Sequence, residues 1–412
     1  MMPSSAEAGL DCTICISNLQ FVQMIERQAA QLANSLARGF PVVALTGPRQ
    51  SGKTTLARQG FADKPYFSFE DLEVRQRFNS DPRQFLALLP EGAIFDEVQN
   101  SPELFSYLQG VVDGRGRMGE FILTGSRQFG LLGRISQSLA GRVGLIQLLP
   151  LSASELRQAG RLGKTMESTV WLGGYPALFD ARRRIASPGQ WLGAYTTTYI
   201  ERDVRQVLGV VNLSLFRRFV LMCAARSGQL LNLSALASDC GISHTTAKSW
   251  LTVLEASYVV YLLQPFHQNF GKRLVKMPKL YFLDTGLLCH LLRVDSPVTL
   301  ATHAMRGAIF ETWVVSETLK HRWNQGLNAD IYFWRDNHGV EVDLLFEHQG
   351  KLHAVEVKSG TTFSAGWLGA FDLWRKYAGT LAAEPIVVYG GKESFSAKGV
   401  NVMSWNDLGL AQ

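Results

Sequence analysis

Short apolar runs alternate with helix-compatible stretches over the first 150 residues of the chain. Four strand candidates lie at 40–46, 66–70, 93–95 and 121–124, and the first is a continuous apolar run, as in a strand buried on both faces of a sheet. Before the first run, apolar residues recur at helical spacing over 21–38, which predicts an amphipathic helix. The alternation predicts an α/β layer with a parallel sheet across 21–150.

The pattern changes after Pro150. Residues 151–212 are mostly helical, apart from a break at 173–176, and we interpret them as a helical lid over the first domain. Residues 213–270 predict three helices followed by an apolar strand pair. Two of these helices, 234–239 with Ser234 as the N-cap and 244–256, are joined by a tight turn containing Gly241, which is the pattern of a helix-turn-helix.

The last region, 275–412, returns to an alternation of helix and strand. A long helix is predicted over 303–324, strands over 331–335, 341–346 and 351–358, a helix over 365–377 and a strand over 386–389. This order indicates a second α/β domain. The first 20 residues are small and polar, and we expect them to form a flexible tail.

Composition limits the class of protein. A chain of 412 residues is too long for one core, and 46% hydrophobic with 18% charged residues is globular. The net charge of +6 is weak support for an anionic partner. Five scattered cysteines form no disulfide framework, and we interpret the lone pair Cys12 and Cys15 as part of the tail. We therefore expect a cytoplasmic protein without a signal peptide or a membrane span.

A phosphate-binding loop follows the first apolar run. Residues 47–54 fit the pattern GxxxxGK[ST], preceded by a strand and followed by a helix-compatible run, which is the context that the motif requires. Glycines let backbone N–H groups point at phosphate oxygens, and Lys53 reaches the outer phosphates. The Thr54 hydroxyl would help to hold Mg²⁺. The predicted ATP-binding residues are Gly47, Pro48, Arg49, Gln50, Ser51, Gly52, Lys53, Thr54 and Thr55.

Two later strands end in polar residues that suit the same site. The run 93–95 leads to Asp96, which can hold the Mg²⁺ shell, and to Glu97, which can polarise the attacking water. The run 121–124 ends in Thr124, followed by Ser126, and either hydroxyl is placed to sense the γ-phosphate. A small-molecule kinase is the alternative interpretation of the phosphate loop, and the large appended domains argue against it.

In this order, the motifs resemble the AAA superfamily of ATPases. The resemblance implies an arginine that completes the ATP site, often from a neighbouring subunit. Arg127, Arg134 and Arg142 all follow the sensor strand, and Arg142 is our first choice. It also implies that the protein forms a homo-oligomer, although nothing in the sequence counts subunits.

The C-terminal region carries a second constellation of charged residues. Asp343, then Glu356 and Lys358, fit the pattern D…ExK on two predicted adjacent strands, and Glu311 on the preceding helix supplies a further carboxylate. Asp343 and Glu356 would hold Mg²⁺ while Lys358 orients or activates water. The order of elements resembles the restriction-endonuclease-like fold. An ordinary polar hairpin is the plain alternative.

Residues 213–270 resemble a winged-helix domain, in which 244–249 would face a DNA groove; such domains also serve as packing modules in ATPases. Taken over nearly its whole length, the chain resembles a group of uncharacterised prokaryotic ATPases that join an AAA-type domain to a C-terminal domain with nuclease-like motifs. The match includes the charged run 199–205. The leading hypothesis is an ATP-hydrolysing protein that acts on or with DNA. The competing one is a nucleotide-dependent switch whose nuclease-like domain is inactive and binds a partner.

Overall fold

The computed structural model describes residues 25–126, 138–181, 185, 187–204, 212–266, 277–336 and 338–408, with the backbone alone for 201–204. Within these ranges, no helix is both long and apolar enough to cross a membrane. The tail, Cys12 and Cys15 lie outside the described residues, and so do Arg127, Arg134 and the side chains of 201–205.

Five parallel strands form the first sheet, in the order β2-β3-β4-β1-β5. The four predicted strands are all present, and the fifth was missed because its apolar run is interrupted by Gly144 and only partly buried. β1, β3 and β4 are fully buried between two layers of helices, and β2 is half-buried. The strands are β1 Val42–Thr46, β2 Tyr66–Ser68, β3 Ala93–Asp96, β4 Phe121–Gly125 and β5 Val143–Gln147.

Helices cover both faces of this sheet. A phenylalanine-rich core fills one face under the helices that follow β2 and β3, and an aliphatic core fills the other face under the first two helices. The helices are α1 Ala29–Gly39, α2 Lys53–Gly60, α3 Leu72–Ser80, α4 Pro82–Ala87 and α5 Leu104–Arg115.

The first helix is shorter than the amphipathic pattern predicts. It begins at Ala29, and residues 25–28 are not helical. The Gln28 backbone N–H donates to Glu155 Oε1 at 2.8 Å, and the preceding side chain, Arg27, is buried rather than lying on a helix face. A tertiary contact thus overrides the local helical pattern.

The middle of the chain is helical, as predicted. A nine-residue π-helix, Thr196–Val204, continues directly from the α-helix Pro188–Tyr195. The helices before and around it are α6 Ala153–Gln158, α7 Met166–Leu172, α8 Pro188–Tyr195, α9 Leu213–Ala224, α10 Leu233–Cys240, α11 His244–Ala256, α12 Thr285–Leu291 and α13 Pro297–Thr302.

The predicted helix-turn-helix corresponds to α10 and α11. Gly241, with φ 68°, ends the first helix, and the core positions of the second are all buried as predicted: Ala247, Trp250, Leu251 and Leu254. The predicted cap is wrong, since α10 begins two residues before the expected start. Asn232, not Ser234, accepts the capping hydrogen bond, from the Ala235 backbone N–H at 3.0 Å.

A nine-stranded sheet joins the middle and C-terminal regions, in the order β13-β14-β12-β11-β10-β9-β7-β8-β6. The boundary predicted between 270 and 275 does not separate two sheets, because β7 pairs with β8 on one side and with β9 on the other. The strands are β6 Gln229–Leu230, β7 Val260–Pro265, β8 Lys279–Phe282, β9 Ile331–Arg335, β10 Glu341–His348, β11 Lys351–Lys358, β12 Ile386–Tyr389, β13 Phe395–Ala397 and β14 Val400–Ser404.

Two helices complete the C-terminal region: α14 Arg306–Asn324 and α15 Gly369–Ala378. The predicted order of helix, three strands, helix and strand is therefore observed. The long helix α14 belongs to a core shared with the middle region. It also contacts the segment that follows β5, since Lys320 Nζ donates to Leu151 O at 3.0 Å and the Ala153 N–H donates to Glu317 Oε2 at 2.6 Å.

Candidate nucleotide-binding site

The phosphate loop leaves the end of β1 and enters α2 at Lys53. Two of its glycines are required by shape. Gly47 has φ 147°, and a Cβ there would lie 2.1 Å from Leu148 O; Gly52 has φ 97° and precedes the helix. The loop therefore curls tightly enough for its backbone N–H groups to face a phosphate at the positive end of α2.

Lys53 and Ser51 show that the loop suits an anion. Lys53 is buried, and its Nζ donates to the loop's own carbonyls, Gly47 O at 3.0 Å and Pro48 O at 2.7 Å. The Ser51 hydroxyl is fully buried and has no hydrogen-bond partner among the described residues. Burial lowers the pKa of Lys53 to about 8, although Glu97 and Asp96 partly oppose this effect. A phosphate would supply the negative charge that this lysine lacks.

Asp96 ends β3 beside the loop and collects three hydroxyl groups. It accepts from Thr54 Oγ1 at 3.0 and 3.1 Å and from Tyr66 OH at 2.7 Å, and it contacts Thr124 Oγ1. Burial and the bond to Asp96 raise the pKa of Tyr66, so the phenol stays protonated as a donor. Thr54 and Asp96 thus stand where the sequence predicts an Mg²⁺ ion, and Tyr66 is a neighbour that no motif indicated.

The next residue, Glu97, points to a separate pair of polar groups. Its Oε2 accepts from Ser126 Oγ at 3.1 Å and contacts the Gln99 amide. Glu97 has φ 52°, a left-handed conformation that is uncommon for residues other than glycine. Since β4 lies between β1 and β3, Thr124 and Ser126 are placed between the phosphate loop and the acidic pair, as predicted.

The rest of the predicted loop surrounds these groups. Arg49 forms an ion pair with Glu70 at 3.7 Å, and Thr55 is exposed as the third residue of α2. Pro48 and Gln50 form the turn, with Gln50 at φ 64°.

Arg27 is a loop neighbour that the sequence did not reveal. Its guanidinium donates to Ser51 O at 2.6 Å, to Leu149 O at 2.7 Å and to Glu155 Oε1 at 3.0 Å, and all four groups are buried. The guanidinium therefore fixes the outer side of the phosphate loop to the segment after β5. A charged residue inside an apolar helical pattern was the available signal.

Arg142 does not lie at its own ATP site. It precedes β5, which runs parallel to β1. Arg142 therefore lies at the amino end of these strands, whereas the phosphate loop follows the carboxyl end of β1. Its side chain binds Asp113 at the surface, with Nη2 at 2.9 Å from Oδ2. Within one chain, the prediction that Arg142 completes the site is wrong. A contribution to the site of a neighbouring chain stays a prediction.

Two tyrosines from the middle region touch the phosphate loop and its strand. Tyr195, the last residue of α8, donates to Arg49 O at 3.3 Å. Tyr258 lies two residues after the end of α11 and has φ 56°. Its hydroxyl oxygen is 2.8 Å from Thr46 Oγ1. Its ring also packs edge-on against Trp323 of α14. The middle and C-terminal regions are thus connected to the residue that immediately precedes Gly47.

The second predicted constellation also comes together. Asp343 on β10 lies close enough to Glu356 on β11 and to Glu311 of α14 to interact electrostatically with both carboxylates. Lys358 contacts Glu356 Oε1. Burial raises the pKa of Asp343 well above its ordinary value, and Glu311 and Glu356 raise it further. Burial is also the main cause that raises the pKa of Glu356.

Two charged residues of this cluster were not predicted. One of them is Lys279, at the start of β8. Its Nζ is 2.9 Å from Glu311 Oε1 and 4.0 Å from Asp343 Oδ1, and it also contacts Glu341, the second unpredicted residue. Oxygens of Glu311, Glu341 and Asp343 all lie within 4.8 Å of one another. No motif connects Lys279 to residues further along the chain, so only the fold reveals it.

Three family models match successive segments of the chain. Residues 39–157 match a model described as an AAA domain, and residues 163–298 and 306–408 match two models described as domains of unknown function, DUF8612 and DUF4143. An uncharacterised protein of Mycobacterium tuberculosis is 36% identical over 345 residues, which is 82% of this chain and 75% of that protein, and one of Mycobacterium bovis matches equally. The chain belongs to their family.

In this family, the N-terminal domain is an AAA-type P-loop ATPase domain, which the parallel sheet and the phosphate loop bear out. Among solved structures, a Walker-type ATPase of Pyrococcus abyssi aligns with a TM-score of 0.43 and 15% identity, over 64% of this chain and 95% of that one. A Holliday junction branch migration motor of Thermotoga maritima aligns with a TM-score of 0.28 and 17% identity, over 58% and 90%.

The low pKa of Lys53 predicts how nucleotide binding depends on pH. Phosphate is attracted to the ammonium form, which the free AAA domain loses as the pH rises through about 8. We expect the affinity for ATP to fall about tenfold for each pH unit above that value. Titration with a fluorescent ATP analogue between pH 7 and 9.5 measures the change.

The matched control is Lys53→Arg, since a guanidinium stays charged over the whole range. Whatever affinity this variant retains should not vary with pH in this window. A wild-type affinity that is equally constant would contradict the assignment of a shifted pKa to Lys53.

Proposed function

We propose that the protein is an Mg²⁺-dependent ATPase whose nucleotide state is read by its middle and C-terminal regions. The observation that carries the first half is the meeting of Lys53 and Thr54, which begin α2 after β1, with Asp96, which ends β3, at the carboxyl end of the sheet. The fit to AAA domains favours an ATPase over a small-molecule kinase.

Each residue has a role that follows from its place. Lys53 exchanges its bonds to loop carbonyls for bonds to the outer phosphates. Thr54 and Asp96 would hold Mg²⁺, which neutralises charge that develops on the phosphate oxygens. Glu97 orients and polarises the attacking water. Until nucleotide binds, the Glu97 carboxylate accepts a hydrogen bond from the Ser126 hydroxyl. A release of Glu97 from Ser126 therefore accompanies the formation of the active site.

The first experiment is Mg²⁺-dependent ATP hydrolysis by the full chain, with and without single- and double-stranded DNA. Lys53→Ala should lose nucleotide binding and hydrolysis together. Glu97→Gln should keep binding but lose about 100-fold or more in turnover, the range expected for a general base. The control is Glu103→Gln, which removes an exposed carboxylate of the same domain and should hydrolyse ATP like the wild type.

Binding without hydrolysis in the wild type would remove the ATPase half of the proposal and leave a nucleotide-dependent switch. A rate of ATP hydrolysis that rises when DNA is added would favour the hypothesis that the protein acts on or with DNA.

The second half of the proposal rests on Tyr195 and Tyr258. Both hydroxyls come from the middle region and end at the phosphate loop or at the residue before it. A change in loop conformation on ATP binding must break or move these contacts. Tyr258 continues directly from α11 and packs on α14, so a shift there reaches both appended regions. A hydroxyl–hydroxyl bond of this kind contributes about 1 kcal/mol, enough to bias two arrangements of similar energy.

We expect Tyr258→Phe to uncouple the regions without preventing ATP binding, because phenylalanine keeps the ring but not the hydroxyl. Hydrogen exchange of 244–266 and 306–324, measured with and without ATP and Mg²⁺, reports the response. Wild-type protein should show a nucleotide-dependent change, and Tyr258→Phe should lose most of it. Tyr377→Phe, a partly exposed tyrosine of α15, is the control. An unchanged response in Tyr258→Phe would refute the pathway.

DNA contact through α11 is a second candidate, favoured by one observation. His244, Thr245, Lys248 and Ser249 are exposed on this helix, whereas Ala247 and Trp250 are buried, so the described residues leave most of the predicted contact face uncovered. A major groove admits such a helix. The homologous regions are of unknown function, so packing alone stays the alternative.

If this face binds DNA, Lys248→Ala should weaken binding and reduce the slope of log affinity against log salt by about 1. Fluorescence anisotropy with duplex DNA at several salt concentrations measures both quantities. Lys392→Ala removes an exposed lysine of the C-terminal region and serves as the control. Equal losses in the two variants would mean that the attraction comes from net charge and not from α11.

We further infer that the chain forms a homo-oligomer in which an arginine of a neighbouring chain completes the ATP site, as the resemblance to AAA ATPases implies. We also infer a cytoplasmic location, because the scattered cysteines form no disulfide framework in the sequence.

A further inference from the structure

The carboxylate cluster of the C-terminal region differs from an open metal site in one respect. Its centre holds the ammonium group of Lys279, which is 2% exposed. Nζ lies 2.9 Å from Glu311 Oε1, contacts Glu341 Oε1 and lies 4.0 Å from Asp343 Oδ1. One oxygen from each of these three carboxylates lies within 4.8 Å of the other two. The lysine thus makes the contacts that a bound cation would make.

Other cations and donors occupy oxygens at the edge of the cluster. Arg335 Nη1 binds Glu341 Oε2 at 3.0 Å, and the Val357 N–H binds Asp343 Oδ2 at 2.9 Å. Lys358 contacts Glu356 Oε1. Three positive side chains therefore already neutralise most of the charge of four carboxylates. A divalent cation would have to compete with them, and like charges repel at these distances.

Lys279 is also held in place by its backbone. It pairs with Leu263 of β7 on one side and with Leu230 of β6 on the other, so it belongs to an inner strand of the sheet. Its Nζ lies 5.6 Å from the centre of the Phe333 ring, which favours a cation at this point. A rotation of the side chain toward solvent would leave the buried carboxylate of Asp343 and the half-buried carboxylates of Glu311 and Glu341 without their central charge.

We propose that Lys279 takes the place of a divalent cation among Glu311, Glu341 and Asp343, so that Asp343 does not hold Mg²⁺ in the folded chain. The residues do not fit the metal that the D…ExK pattern implies. The cluster instead joins β8, from the region that matches DUF8612, to α14 and β10, from the region that matches DUF4143. The C-terminal region then acts by binding and not by metal-dependent cleavage. This inference does not depend on ATP hydrolysis.

Mn²⁺ binding to the nucleotide-free full chain tests the proposal, with free Mn²⁺ followed by electron paramagnetic resonance. All proteins carry Asp96→Asn, so that the ATP site contributes equally little. In this background, we expect the parent to bind no more Mn²⁺ than the protein that also carries Asp343→Asn. Adding Lys279→Met should create one further equivalent of binding, and Asp343→Asn should remove it again.

Lys320→Met is the matched control. Lys320 is also buried, but it pairs with a single carboxylate, Glu317, at 2.7 Å, so its removal should create no Mn²⁺ site. One equivalent of Mn²⁺ bound by the parent and lost with Asp343→Asn would overturn the proposal. This comparison decides even if Lys279→Met does not fold. A folded Lys279→Met protein that gains no Mn²⁺ would overturn it as well, since the lysine would then not stand in a cation site.

Discussion

The nucleotide site depends on how a single buried carboxylate is satisfied. Asp96 is 6% exposed, and it accepts hydrogen bonds from hydroxyls of three separate elements: Thr54 of α2, Tyr66 of β2 and Thr124 of β4. A buried carboxylate without donors would be costly, so these bonds fix the relative position of the strand ends. Neutral donors solvate the charge without cancelling it. The carboxylate therefore stays attractive to a cation that arrives with a nucleotide.

The C-terminal cluster solves the same physical problem in the opposite way. There, ammonium and guanidinium groups face the carboxylates, and the charge is balanced within the protein. We propose that this contrast makes two sites with similar acidic residues differ in what they bind. It also gives the appended regions a structural role, because the ionic groups come from β8, α14 and β10, which are distant in sequence.

Local signals predicted a large share of this structure. The strands β9, β11 and β12 were predicted to the residue, because each combines alternating or continuous apolar positions with clear ends. The phosphate loop was likewise visible, since its chemistry is contained in eight consecutive residues. The start of α1 was not, because Arg27 and Gln28 bind Glu155, 128 and 127 positions away. Lys279, Tyr195 and Tyr258 were missed for the same reason: their partners lie on other elements. The position of Arg142 was predicted wrongly because β5 was missed. Arg142 precedes this strand, which runs parallel to β1, and therefore lies at the amino end of the strands, away from the phosphate loop.

The continuous second sheet has a consequence for how the chain can be divided. β7 contributes hydrogen bonds to β8 from the middle region and to β9 from the C-terminal region. A protein cut between α13 and α14 would leave one side of β7 without its partner strand and the shared apolar core open. An unpaired edge of this kind recruits strands from other molecules. The two family matches therefore mark segments of sequence, whereas the unit that can be expressed, inherited or exchanged intact is the pair.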